Sequence, residues 1–97
     1  MTIEKNRQGT SLEIRLSSWL DTEASSLLAE EIATLDESLT SLIIDCAGME
    51  YISSAGLRQI VAAHKKMNGA LTLRHVSGEI MTIVSMTGLS KKLHIEA

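Results

Sequence analysis

Leu42-Ile43-Ile44-Asp45-Cys46-Ala47-Gly48-Met49-Glu50-Tyr51-Ile52-Ser53-Ser54-Ala55-Gly56-Leu57-Arg58 is the stretch on which the fold turns. From Leu39 to Asp45 the chain is a short apolar run rich in β-branched residues, the composition of a central strand covered on both faces. Cys46 to Glu50 reads as a loop. Leu57, Ile60, Val61 and His64 then recur at helical spacing, which places Ser53 and Ser54 at a helix N-terminus. Unpaired backbone N–H groups and the positive end of the helix dipole point outward at such a position, and both favour a phosphate carried on a serine. The same pair has a purely structural reading, because Ser is among the commonest N-cap residues.

Upstream, Leu12, Ile14 and Leu16 alternate with Ser11, Glu13, Arg15 and Ser17, the period of a strand with one buried face. Met1 to Gly9 is a polar segment that reads as a short edge strand or a frayed end, and Gln8-Gly9-Thr10 supplies a hairpin turn from it. Ser17 to Thr22 reads as a loop in which Asp21 or Thr22 caps the next helix. Ala24, Leu27, Leu28, Glu31, Ile32 and Leu35 fall at helical spacing and predict an amphipathic helix from Thr22 to about Leu35.

Downstream, the helix that begins at the serines is expected to end at about Met67, before Asn68-Gly69. Leu71 and Leu73 alternate in a strand, and Ser77 opens a third helix through Ile80, Ile83 and Val84. Gly88 offers a left-handed cap with Leu89 as its hydrophobic contact, and Leu93 and Ile95 form a last short strand. The order is β-β-α-β-α-β-α-β, an α/β fold with a mixed, mostly parallel sheet and helices packed against it. In such sheets partner sites gather at the C-terminal ends of the strands, so Trp19–Asp21 and Cys46–Ser54 are expected to share one edge of the molecule.

Composition bounds the function. A chain of 97 residues, 44% hydrophobic, makes one domain over residues 1–97 with a modest core of Leu, Ile, Val, Met and Ala, because Phe is absent and Trp19 and Tyr51 are the only aromatics. A net charge of −3 gives no basic footprint for nucleic acid. One cysteine cannot form an internal disulfide, and no apolar run approaches a membrane span. These features predict a cytoplasmic monomer with no membrane insertion. Cys46 reads as a small buried hydrophobe. His64, His75 and His94 lie on different elements without a second ligand at metal spacing, so neither a metal nor another cofactor is expected. His64 lies about a helix length from Ser54, too far to act as its base, which argues against an enzyme.

Asp45 through Arg58, with Leu20-Asp21 before and Met86-Thr87-Gly88-Leu89 after, resembles the STAS domain of bacterial anti-sigma factor antagonists. The resemblance covers nearly the whole chain and is most specific at Ile52-Ser53-Ser54-Ala55-Gly56-Leu57. It implies a phosphorylation-switched protein-binding module whose unphosphorylated form binds an anti-sigma factor serine kinase, frees a sigma factor and so regulates transcription. It implies Ser54 as the phosphorylated residue, with Ser53 where many members carry Asp and Ala55 where others carry Ser. Asp21 falls where members have an acidic residue in the partner-facing loop, and Ser53, Ala55, Gly56, Leu57 and Arg58 complete the implied partner-binding set. A phosphatase acting on phospho-Ser54 is implied as a further partner. The alternatives are an accessory STAS subunit bound to a membrane transporter ATPase, and a member that is never phosphorylated and acts as a constitutive adaptor.

Asp21, Arg58, Gly56 and Trp19 also have readings from their positions alone. Asp21 is a helix N-cap, a salt-bridge partner for a basic residue, or both. Arg58, read as first-turn, sits where the dipole disfavours a cation, and is either an ordinary surface charge or a group awaiting an anion. Gly56 permits close approach of its helix to a neighbour. Trp19 is an interface anchor or, slightly preferred, a plug for the end of an aromatic-poor core.

Overall fold

The computed structural model describes residues 2–88, 91 and 93–96. The elements are β1 (Thr2–Gln8), β2 (Ser11–Leu20), α1 (Thr22–Ala33), β3 (Ser41–Ile52), α2 (Ser54–Lys66), β4 (Leu71–Arg74), α3 (Gly78–Met86) and β5 (His94–Ile95). They follow the expected order. One five-stranded sheet runs β1-β2-β3-β4-β5, antiparallel between β1 and β2 and parallel thereafter. The hairpin turns at Gly9, whose φ of +60° lies in the left-handed region that glycine adopts without steric cost.

Each βαβ step moves one strand further in the same direction, so right-handed connections set the three helices on a single face. Burial agrees. Leu12, Ile14 and Leu16 of β2, Leu42, Ile44 and Cys46 of β3, and Leu71 and Leu73 of β4 are buried, and the register aligns Leu12, Leu42 and Leu71, then Ile14, Ile44 and Leu73. The opposite row, Glu13-Ile43-Thr72 and Arg15-Asp45-Arg74, belongs to an uncovered face. The central strand is therefore covered on one side, not two. Its sequence looks doubly apolar because Leu39 enters the core from the preceding turn, while Ile43 lies half-buried among polar neighbours on the open face.

Both strands that lead to the serines are longer than their sequence pattern indicates. β2 continues through Leu20 and β3 through Ile52, pairing Ser17 with Gly48, Ser18 with Met49, Trp19 with Tyr51 and Leu20 with Ile52. Two register shifts, between Arg15 and Ser17 and between Ser18 and Trp19, interrupt the period-two alternation, which is why these segments read as loops. Gly48 belongs to this irregular region: a Cβ there would lie 3.1 Å from the Ser17 Cβ.

The helices begin and end close to expectation. Asp21, Ser53 and Ser77 are the three N-caps, accepting from the N–H of Ala24, Gly56 and Ile80. α1 stops at Ala33, two residues early, where the Thr34 N–H and hydroxyl both turn back to the Glu31 carbonyl. Ala24, Leu28 and Ile32 form its buried stripe, but Leu27 lies outside it and is 49% exposed. α2 ends with Asn68 and Gly69 in left-handed conformations, and Gly88 adopts one after α3. Leu89, the contact expected to accompany that last cap, lies outside the described residues.

Asp45 ties the open face together. Burial raises its carboxyl pKa, but the Ala47 N–H at 2.9 Å, the His75 Nδ1 at 3.0 Å and the charges of His75 and Arg15 outweigh burial and hold it below the ordinary value. Asp36 is lowered to about 2 by the Ser38 hydroxyl and then by Arg7. Both groups shed protons more readily folded than unfolded. Their stabilising contribution is complete above the unfolded carboxylate pKa of about 4 and is lost as pH falls through the lower folded values. Urea denaturation across about pH 2 to 5 should show stability falling on the acid side, with a shallower slope in Asp45→Asn.

Candidate functional site

The C-terminal ends of β2 and β3 bring two helix starts together. Leu20 closes β2, and its carbonyl accepts from the Ser53 N–H at 2.8 Å, so the residue before Asp21 is bonded directly to the residue before Ser54. Asp21 Oδ1 accepts from the Ala24 N–H at 2.8 Å, and Ser53 Oγ accepts from the Gly56 N–H at 3.1 Å. The two caps thus stand side by side at one sheet edge, where the two loops were expected.

Ser53 and Ser54 have different fates. Ser53 is 8% exposed and its hydroxyl is committed to the cap. Ser54, the first residue of α2, is exposed, and its hydroxyl makes no hydrogen bond among the described residues. α2 has no acidic residue in its first turn, whereas α1 has Glu23 and α3 has Glu79. Its own first turn therefore offers the dipole no negative side chain.

The other candidate residues divide by burial. Ala55 is half-buried, Gly56 and Leu57 are buried, and Arg58 is exposed. Arg58 lies in the second turn rather than the first, four residues from Ser54, and so on the same helix face. Gly56 touches its neighbour closely: a Cβ there would stand 2.7 Å from Leu20 Cγ and 3.1 Å from the Leu20 carbonyl oxygen. Asp21 is half-buried beside this junction.

A hollow of about 500 Å3 opens beside Ser54, lined by Leu57, Arg58, Val61, Ala62, Lys65 and Thr87 as well. Val61, Ala62 and Lys65 were absent from the sequence-derived set, although spacings of three, four and seven residues from Leu57 and Arg58 already place them on one face. The hollow has an apolar floor and two cations, Arg58 and Lys65.

Elsewhere on the edge, burial and the neighbouring Asp45 push the Cys46 thiol up to about 12, which keeps it from acting as a thiolate nucleophile at neutral pH. Among the described residues, no group of three or more His, Cys, Asp or Glu is placed to hold a metal ion, and no helix is long and apolar enough to cross a membrane. Trp19 is no core plug. It is 56% exposed and packs against Tyr51 in a tilted arrangement, with ring centroids 5.4 Å apart.

Comparison with known proteins brings these features into one frame. A family model for the STAS domain matches residues 2–97, and no curated protein matches the chain in sequence. An anti-sigma factor antagonist from Mycobacterium paratuberculosis superposes with a TM-score of 0.86 at 20% identity, over 98% of this chain and 84% of the other. The Bacillus cell fate determinant SpoIIAA in its phosphorylated form superposes at 0.76 with 16% identity, over 99% of this chain and 92% of the other. A sulfate transporter family protein from Wolinella succinogenes gives 0.78 with 13% identity, over 90% and 76%. At such identities the likeness is one of fold.

Proposed function

The chain belongs to the STAS domain family, and from that premise we propose that it is an anti-sigma factor antagonist, switched by phosphorylation at Ser54. In this reading the unphosphorylated domain binds an anti-sigma factor serine kinase in the cytoplasm and frees a sigma factor. Phosphorylation ends the binding, and a phosphatase restores it. The chain itself is not an enzyme.

The observation that carries the reading is the division of labour between the two serines. Ser53 is buried and holds the helix start, while Ser54 presents a hydroxyl to solvent at the positive end of a 13-residue helix. A phosphate on Ser54 adds about −1.5 to −2 charges, which the helix dipole accepts and which Arg58 can meet from one turn further on. The fold therefore has no reason to rearrange, and the switch acts where a partner touches the surface. The half-buried Asp21, Ala55, Leu57 in the hollow and Arg58 supply that contact surface, while Ser53 and Gly56 position it.

This exposure favours the antagonist over a transporter accessory subunit or a constitutive adaptor, neither of which needs a serine so presented. Incubation of the domain with ATP and the kinase captured from its own cell extract should place phosphate on Ser54, located by mass spectrometry. Ser54→Ala should still bind the kinase and take up no phosphate. Incorporation into that variant at the wild-type rate would remove Ser54 from the proposal.

A further inference from the structure

The chain has three histidines, and one of them, His75, has a ring nitrogen committed to a carboxylate that solvent barely reaches. His75 follows β4 directly and takes φ +57°, in the left-handed region, where a non-glycine residue stays only if its surroundings hold it. The turn is pinned from the other side. The Glu96 N–H donates to the Leu73 carbonyl at 2.7 Å, and the Val76 N–H donates to the Glu96 carbonyl at 3.2 Å. The ring thereby meets the uncovered face of the sheet, with Nδ1 3.0 Å from Oδ1 of Asp45, a residue 5% exposed.

This contact fixes the chemistry of the ring. Asp45 is ionised at neutral pH and can only accept, so Nδ1 of the neutral ring holds the proton and Nε2 holds the lone pair. Asp45 is itself fixed by the Ala47 N–H at 2.9 Å, with Arg15 Nε 3.6 Å from its other oxygen. Nε2 makes no hydrogen bond among the described residues, and the His75 side chain is 54% exposed. A buried carboxylate behind one nitrogen and water before the other favour attack by that second nitrogen, because the carboxylate stabilises the positive charge the ring gains as the new bond forms. No described hydroxyl or thiol bonds to Nε2, so the ring is placed as a nucleophile in its own right rather than as the base of a triad. Arg15 and Arg74 flank Asp45 in the same cross-strand row. Their carboxylate contacts, at 3.5 to 3.6 Å, are too long for strong hydrogen bonds and leave guanidinium N–H groups for an incoming anion.

We propose that His75 is a phosphoryl acceptor, whose Nε2 takes a phosphoryl group from a donor that carries it on nitrogen. The Nε2 lone pair attacks phosphorus, the donor's P–N bond breaks, and the donor nitrogen, protonated beforehand, leaves as a neutral amine with the electron pair. Nδ1 keeps its proton, and Asp45 balances the charge on the ring. One P–N bond replaces another, so the transfer needs no further reactant. The site lies on the open sheet face and does not depend on the proposed switch at Ser54.

The test treats the full chain with potassium phosphoramidate at about pH 8, where unprotonated imidazole predominates. Ammonia is then the leaving amine. Mass spectrometry in alkaline solution locates the label, and acid treatment identifies its linkage, because phosphohistidine is lost in acid while phosphoserine survives. His75 should label about tenfold or more faster than His64 or His94. His94 is the sharper control, since its side chain is more exposed, at 67%, and its Nε2 faces Glu96 at 3.6 Å. Labelling that follows exposure, with His94 first, would overturn the proposal, as would an unlabelled His75 or an acid-stable product. In urea beyond the unfolding transition the three histidines should react at similar rates. A preference for His75 that persists there would trace its reactivity to local sequence and remove the folded pair as the cause. Asp45→Asn should slow His75 by about tenfold, and the ring 15N resonances should show that Nδ1 no longer holds the proton as in wild type. A folded Asp45→Asn that labels at the wild-type rate would overturn the positioning role of Asp45. His75→Gln should lose the fast-reacting group and keep the folded amide spectrum. If the kinase phosphorylates Ser54 while phosphoramidate leaves His75 unlabelled, this inference alone fails. Fast labelling of His75 with no phosphate at Ser54 supports the acceptor and removes only the switch.

Discussion

Ser54→Asp is expected to weaken binding to the partner kinase by roughly tenfold to a hundredfold, while the melting temperature stays the same or rises by a few degrees. The two effects separate because they act on different surroundings. Within the domain the new carboxylate stands at the first position of α2, which has no acidic residue in its first turn, and faces Arg58 four residues on. A carboxylate at that end of a helix contributes about 0.3 to 1 kcal/mol, and an exposed i, i+4 ion pair about 0.3 to 0.5 more. For a domain of this size about 1 kcal/mol corresponds to roughly 4 to 8 °C.

At the interface the sign reverses. Ser54 adjoins a hollow whose floor is Leu57, Val61 and Ala62, so a partner seated there removes water from around residue 54. A carboxylate that loses water there keeps Arg58 as a partial partner, and a residual cost on the order of 1 to 3 kcal/mol, that of an incompletely satisfied polar group, gives the stated loss at about 1.4 kcal/mol per decade. Calorimetric titration with the purified kinase and a thermal melt of the variant check both halves. Ser54→Asn, nearly the same size without the charge, should bind within a few-fold of wild type. Equal affinity for Ser54→Asp and wild type would show that charge at this serine is not what the partner reads.

Much of this arrangement is legible in the residues, and what is not has a physical cause. A cap at Asp21 or Thr22, a serine at the start of α2, the Asn68-Gly69 stop and the alternation of Leu12, Ile14 and Leu16 depend on local chemistry and survive into the fold. Ser17–Leu20 and Cys46–Ile52 are strands that cannot be read as strands, because their pairing is with each other and two bulges erase the alternation. Leu27 has helical spacing yet faces out, since the inner face of α1 is narrow enough to be filled by Ala24, Leu28 and Ile32. The sequence leaves either serine available as the cap. Only the bond from the Ser53 N–H to the Leu20 carbonyl, which fixes Ser53 at the strand end, leaves Ser54 as the residue that faces water. Trp19 escapes prediction for a similar reason: its exposure is decided by the twist at Ser18, a tertiary event.

That same Leu20 should make the junction fail in a characteristic, non-additive way. Leu20→Ala removes a fully buried side chain and is expected to cost about 2 to 5 kcal/mol. The melting temperature should fall by more than about 8 °C. Gly56→Ala adds a methyl group that would lie 2.7 and 2.8 Å from Leu20 Cγ and Cδ2. Leu20 is fully buried and cannot swing out to solvent, and its backbone cannot retreat without straining the 2.8 Å bond to Ser53. Overpacking of this kind costs about 1 to 3 kcal/mol, more than the roughly 1 kcal/mol that alanine gains over glycine within a helix. Gly56→Ala alone should therefore destabilise. In the Leu20→Ala background the clash with the side chain is gone and only the 3.1 Å contact with the carbonyl oxygen of residue 20 remains, so the same substitution should become close to neutral or stabilising. The double mutant should be more stable than the sum of the single effects predicts by about 1 to 3 kcal/mol, measurable by urea denaturation of all four proteins. Additive effects would mean that α2 shifts freely over β2. A rigid contact also links stability to function: if the partner reads the position of the α2 start, Gly56→Ala should lose affinity at temperatures where it remains fully folded, and a calorimetric titration well below its melting point separates that displacement from simple unfolding.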